Sequence, residues 1–339
     1  MYETLRPDLL TASEAEKDLM REDPTYVVSW DIFSKNQLPY LEVRRPFILG
    51  LHDSAPIWKP TVYHYFTALL EDKHLLIRHY SQNIDGLDFK VQVPSTKLIP
   101  VHGSLSQVSC EGCGAAMDTK KFAQVRAPIL LYLKLQRTLT SRLATLVAAR
   151  QDEDKGHLRT RPECSANIVT NHLSEMLIAL GEGEIVRGAK QRDASSNALF
   201  RSAPLLFRSP QPSTVLYGRN LPASFEENAA KDAKEAAVVI VAGTSLTVFP
   251  AASLPDLAPT ASRVVVNRDY GAGMTSIDFM NNDRDIMLEG DCDSVFLDII
   301  EELGWLDDLA VHRDDMCENS KALLDGRLKA VARATKKDR

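Results

Sequence analysis

The sequence predicts an α/β protein: a Rossmann-like parallel sheet with a small zinc-module-like domain inserted into it. Three apolar runs end in polar clusters: Leu75–Tyr80 before Ser81-Gln82-Asn83-Ile84-Asp85, Ala237–Ala242 before Gly243-Thr244-Ser245, and Arg263–Val266 before Asn267-Arg268. A strand that stops in such a cluster sets it at the carboxyl edge of a sheet, where open α/β folds bind ligands. Between the first cluster and the other two lies Cys110-Glu111-Gly112-Cys113-Gly114, with the tight turn of a zinc knuckle. One layer is therefore expected from 1–103 and 209–305, a small module from 104–208, and a charged tail from 306–339.

Taken in order, residues 1–58 read as short helices and turns, with apolar patches at Leu5–Leu10, Tyr26–Phe33 and Tyr40–Leu51. From Thr61 an amphipathic helix is expected to about Leu70, with Val62, Phe66, Leu69 and Leu70 on one stripe and Pro60 at its start. A buried strand follows to the first cluster. In 124–208, Ile129–Ala149 is rich in Leu and Ala and suits one helix, whereas 181–208 has a linker's composition. That segment reads either as a functional insertion or as translated intron. Pro212–Gly218 is expected to be extended, Ala229–Ala236 helical and Ala237–Ala242 a buried parallel strand. Gly271-Ala272-Gly273-Met274-Thr275 follows a strand but precedes no helix-like pattern, so it is expected to be a loop. The helix Ser294–Leu303 closes the layer. The last residues carry Arg327, Lys329, Arg333, Lys336, Lys337 and Arg339, as in a solvated helix, a disordered end or a nuclear-targeting stretch.

Composition narrows the function. The chain has 339 residues, enough for about two domains, and a net charge of −6, which gives no overall attraction to nucleic acid. No apolar run approaches membrane-spanning length. The start carries Glu3, Asp8, Glu14, Glu16 and Asp18, unlike a secretory signal or transit peptide. Five cysteines, two of them at metal-ligand spacing, indicate a reducing compartment, and nucleus or cytoplasm is expected.

Gln82, Asn83 and Asp85 offer groups suited to ribose hydroxyls and a carboxamide. Nearby His102, in Val101-His102-Gly103, has the side chain whose ordinary pKa suits proton transfer near neutrality. Cys110 and Cys113 need further ligands for a tetrahedral shell. Cys164 is the candidate, with His157 and His172 as substitutes; Cys317 reads as a free thiol.

The order Q-N-I-D-G-L, V-H-G, C-x-x-C-G resembles the sirtuins, the NAD-dependent protein deacylases. Tyr217-Gly218 with Leu221-Pro222, Gly243-Thr244-Ser245-Leu246, Asn267-Arg268 and Gly290-Asp291-Cys292-Asp293 continue the match in the family's order. The resemblance covers 1 to about 123 and about 209 to 305. It implies acyl transfer from lysine to ADP-ribose with nicotinamide release, and His102 as general base. It implies Gln82, Asn83, Asp85, Gly243, Thr244, Ser245, Asn267, Arg268 and Cys292 as NAD contacts. Val215, Leu216, Tyr217 and Gly218 would pair with an acyl-lysine peptide, a histone among the candidates, and a structural zinc is implied. No membrane or direct nucleic-acid partner is expected. Two departures count against catalysis. Met1-Tyr2-Glu3-Thr4-Leu5 matches the family's Gly-x-Tyr segment with no Gly-Ala-Gly loop before it, and a second Cys-x-x-Cys is missing. A glycine turn at a helix start is how such folds hold a pyrophosphate. The alternative is thus a catalytically impaired NAD- and peptide-binding protein or a truncated gene model. An ordinary nicotinamide dehydrogenase would need a Gly-x-Gly-x-x-Gly that the sequence lacks.

Overall fold

The structure is a computed structural model. It describes Leu9, residues 11–52, 58–110, 115–119, Phe122, 210–270, Met274, 277–279 and 283–337. The chain forms two compact units, Met1–His52 with Gln107–Pro212, and Asp53–Ser106 with Ser213–Arg339.

Among its described residues the first unit holds three α-helices: α1 (Glu14–Glu22), α2 (Trp30–Phe33) and α3 (Leu38–His52). Ser13 starts α1 with a reciprocal cap: its Oγ accepts from Glu16 N–H, and its own N–H donates to Glu16 Oε2 at 2.7 Å. Val27, Val28, Ile32, Phe33, Tyr40 and Leu41 are buried, and the Phe33 and Tyr40 rings meet edge to face.

The second unit carries the layer. Helix α4 (Val62–Asp72) matches the expected amphipathic segment. The strand after it is shorter than expected: β1 is only His79–Ser81. The chain cannot extend directly from the helix because His74 turns it left-handed at φ 59°. Leu75 and Leu76 N–H both return to Leu70 O. Leu75 is consequently 60% exposed, not buried. β1 pairs in parallel with β2 (Leu98–Pro100). The chain continues into β3 (Gly103–Cys110), whose Val108 and Ser109, already in the first unit, pair antiparallel with β4 (Ala116–Met117) of that unit. β5 (Pro210–Thr214) completes that sheet, in the order β4-β3-β5.

After α5 (Ala223–Glu235) come three parallel strands, β6 (Val238–Ala242), β7 (Ser262–Asn267) and β8 (Asp285–Glu289). Alternation along β7 places its side chains on both faces. Val264 and Val266 join a core with Phe66, Leu69, Phe296, Leu297 and Ile300. Val265 faces the other way, with Val241, Ala252, Met274 and Ile277. Both faces are covered, as a parallel sheet requires. β6 departs from the expected buried strand: Val238 and Ile240 are exposed, because among the described residues only β7 flanks it.

A polar anchor ties α5 to β1. Arg78 and Tyr80 both reach the buried carboxylate of Asp232, Tyr80 Oη at 2.6 Å. The last residues form α6 (Cys292–Glu302), α7 (Leu306–Ala310) and α8 (Glu318–Lys337). The segment expected as a charged tail buries Leu309, Met316 and Leu324 completely against α4 and α6 residues. Their spacing within a charge-rich sequence hid them.

Candidate functional site

β1 delivers Ser81 to the edge of its sheet, and after the loop and a 3-10 turn β2 runs parallel beside it. Ser81 O accepts from Val101 N–H at 2.8 Å, and Ile84 O from Leu105 N–H at 2.8 Å. These bonds hold Gln82–Gly86 against 101–105. Asp85 Oδ1 accepts from Leu87 N–H at 3.0 Å, a side-chain turn that leads into the 3-10 turn Leu87–Lys90. Asn83 is exposed; Gln82 and Asp85 are half-buried.

His102 lies across this loop, its Nδ1 3.1 Å from Gln82 O. A carbonyl only accepts, so Nδ1 donates there, and in the neutral ring the lone pair falls on Nε2. That is the state a general base requires. His102 O accepts from Val215 N–H at 2.8 Å, bringing the 215–218 segment beside the histidine. Leu216 is buried and Tyr217 is exposed, and a turn returns Arg219 N–H to Leu216 O.

Gly103 makes this arrangement possible. Its φ is +71°, and a Cβ there would run into Ser213 O and lie 2.8 Å from Thr214 Cα. Gly103→Ala is expected to cost at least about 1–3 kcal/mol from the backbone conformation alone. A lowered urea midpoint checks this; an unchanged midpoint would show that the segment yields freely.

The remaining predicted residues gather at the carboxyl ends of β6, β7 and β8. Gly243 N–H donates to Val266 O at 3.0 Å, Asn267 Nδ2 to Thr244 O at 3.3 Å, and Gly290 N–H to Asn267 O at 2.9 Å. Arg268 is exposed, its N–H held by Asn267 Oδ1. Cys292 opens α6 with Sγ 3.8 Å from Val266 O. Burial, then Asp291 and Asp293, pushes its thiol pKa up, so the sulfur faces the loop as a neutral thiol. A Cβ on Gly243 would stand 3.4 Å from that sulfur, so the glycine keeps a narrow cradle open between the two loops. Small residues and main-chain groups at adjoining strand ends fit a nucleotide.

Both clusters belong to the second unit, and α4 ties them together. Tyr63 N–H donates to Asp293 Oδ1 at 3.2 Å, while Tyr63 Oη is 3.1 Å from His79 Nε2 at the base of β1. Neither Tyr63 nor Asp88, which binds Ser81 Oγ at 2.5 Å, stood out in the sequence. A Tyr on an apolar helix and an Asp in a turn carry no pattern of their own.

For the metal, Cys110 is buried at the end of β3. Cys113, Cys164, His157 and His172 lie outside the described residues. Among the described residues, no group of three or more His, Cys, Asp or Glu is arranged to hold a metal ion. None of their helices is long and apolar enough to cross a membrane.

Comparison with known proteins follows the same residues. A model of the Sir2 family matches residues 17–250. The chain is 31% identical over 267 residues to the NAD-dependent protein deacetylase hst2 of Schizosaccharomyces pombe, covering 78% of this chain and 58% of that protein. It is 27% identical over 279 residues to the NAD-dependent deacetylase sir2A of Dictyostelium discoideum, covering 81% and 40%. It is 24% identical over 289 residues to the NAD-dependent histone deacetylase SIR2 of Eremothecium gossypii, covering 84% and 43%. The chain spans about half the length of these curated relatives. With its motifs in order and the matched region taking in the first strand-end cluster and Gly243-Thr244-Ser245 of the second, the chain belongs to the Sir2 family.

Proposed function

We propose that the protein is an NAD-dependent protein-lysine deacylase. The observation that carries this is the state of His102: Nδ1–H is committed to Gln82 O, Nε2 is left as base, and His102 O is tied to the 215–218 segment. NAD would supply an electrophilic ribose carbon and a nicotinamide leaving group, and the acyl group would pass to ADP-ribose. His102 Nε2 would take a proton from a ribose hydroxyl, which lets the acyl group pass to ADP-ribose. Gln82, Asn83 and Asp85 orient the ribose and carboxamide. Gly243, Thr244, Ser245, Asn267, Arg268 and Cys292 hold the remainder of the nucleotide.

Val215–Gly218 would pair its main chain with an extended acyl-lysine peptide, adding a strand. Related proteins are named histone deacetylases, which supports a histone among the substrates and a nuclear or cytoplasmic setting. A structural zinc on Cys110, Cys113 and Cys164 belongs to the same proposal. It fits a small module within 104–208 beside a Rossmann-like layer from 1–103 and 209–305.

The test is nicotinamide release in the presence of an acetyl-lysine peptide, with NAD binding followed by calorimetry. Peptide-dependent release is the expected result. NAD binding without release would instead identify a binding protein, and neither binding nor release would remove NAD from the assignment.

A further inference from the structure

Close to the start of the Gln82–Gly86 loop, three buried polar atoms have no hydrogen-bond partner among the described residues: His64 Nε2, His79 Nδ1 and Asp88 Oδ1. Both nitrogens lie 3.8 Å from that oxygen. The three side chains are each under one tenth exposed and come from α4, β1 and the 3-10 turn Leu87–Lys90. An unpaired buried polar atom costs about 1–3 kcal/mol, so two such nitrogens facing one such carboxylate oxygen call for an occupant.

The surrounding bonds fix where the protons lie. Thr61 N–H donates to His64 Nδ1 at 3.1 Å, so Nδ1 is an acceptor and the proton of the neutral ring sits on Nε2. His79 Nε2 faces Tyr63 Oη at 3.1 Å. With Tyr63 donating there, the proton of the neutral His79 ring sits on Nδ1, facing the Asp88 carboxylate. Burial works in the same direction, holding the His79 pKa below its ordinary value and raising that of Tyr63. The other charged or titratable groups near the cluster are Cys292 and Asp293 of α6, both of which reach Tyr63. Asp88 Oδ2 already accepts from Ser81 Oγ. The three atoms therefore present two N–H donors and one carboxylate oxygen.

We propose that a single internal water molecule sits between His64, His79 and Asp88, accepting from both imidazole N–H groups and donating to the carboxylate. Its hydrogen-bonding capacity matches the three atoms, and about three bonds is the usual number for a buried water. A separation of 3.8 Å exceeds a direct hydrogen bond but suits one molecule about 2.8 Å from each atom. A metal cation does not suit the point, since both nitrogens present protons. Moving the His64 proton to Nδ1 would set it against Thr61 N–H. The water makes Asp88 a positioning residue: one oxygen is anchored through it to α4 and β1, and the other holds Ser81, from which the candidate site begins.

Two measurements on the full chain test this. A crystal structure is expected to show one ordered oxygen within about 2.6–3.2 Å of all three atoms. Long-range nitrogen–proton NMR of histidine-labelled protein near pH 7.5 is expected to show His64 neutral with its proton on Nε2 and His79 neutral with its proton on Nδ1. In Tyr63→Phe, the His79 tautomer is expected to become mixed while the His64 signals stay in place, a response that lost packing alone would not produce. A metal's anomalous signal at the point, direct closure of either imidazole onto Asp88 with no oxygen between, a charged ring, or the opposite tautomer at either histidine would overturn the assignment.

Discussion

His102→Ala is expected to lower steady-state turnover, read as deacylated peptide beside nicotinamide release, by about 10²–10⁴-fold, the usual cost of losing a general base. NAD affinity should stay within a few-fold of wild type. The two quantities separate because they depend on different atoms. In the proposed reaction affinity would be spread over many contacts at the ends of β1, β6, β7 and β8, whereas proton removal would fall to one nitrogen. The main chain at 102 survives the substitution, so Val215 N–H keeps its acceptor and the peptide segment keeps its place. Gln82 O loses its imidazole partner but lies at a half-buried position that water reaches. Parallel calorimetry, nicotinamide and deacylated-peptide assays check this. A variant that turned over at the wild-type rate would end the role assigned to His102. One that failed to bind NAD would show that the imidazole serves structure first.

How much of this could be read from the sequence varies with the distance over which the cause acts. The polar clusters after β1, β6 and β7 are local signals: a strand ends, and whatever follows is presented at its edge. Their gathering into one unit followed from the parallel architecture. The 3.1 Å bond from His102 to Gln82 O spans 20 residues and depends on the pairing of β1 with β2, so no local pattern announces it. The same holds for Asp88 and the two histidines close to the start of the loop. His64 sits among the buried residues of α4, where an imidazole looks like any half-polar side chain in an apolar run.

Elements whose bounds depend on tertiary partners were read less well. Leu75 and Ile77 suggested strand by composition, but the turn that ends α4 consumes the start of that run. α8 looked like a solvated tail because its apolar positions are sparse, yet Leu324 at full burial is enough to commit it to the core. β6 read as buried from Val238-Val239-Ile240-Val241. A strand's burial depends on neighbours on both sides, however, and the described residues supply one.

The largest stability effect is expected at Asp285. β7 and β8 pair in parallel with Arg263 directly opposite Asp285, and the two side chains close into a double salt link, Nε to Oδ1 at 2.7 Å and Nη2 to Oδ2 at 2.5 Å. Their side chains are 3% and 0% exposed. The Arg263 bonds hold the Asp285 pKa below its ordinary 3.8, and Asp278 N–H adds to the effect. Asp285→Asn removes the carboxylate that closes on both Nε and Nη2 of the buried guanidinium, leaving Asp256 3.3 Å from Nη1, and is expected to cost about 3–5 kcal/mol, read as a lower urea midpoint. The acid response should change too. A carboxylate whose pKa is lower in the folded state stabilises the protein fully above the unfolded value and loses that contribution as pH falls through the folded one. Wild type should therefore lose stability below about pH 4 more steeply than Asp285→Asn does. The pair also predicts its own rescue. Replacing both partners with apolar residues of similar size removes the buried charge, so Arg263→Met with Asp285→Leu should recover most of the loss. A single variant within about 1 kcal/mol of wild type would place the pair in the class of exposed ion pairs. A double variant no better than the single would instead show that the hydrogen bonds to Asp278 and Asp256, not the charge balance, hold this end of the sheet.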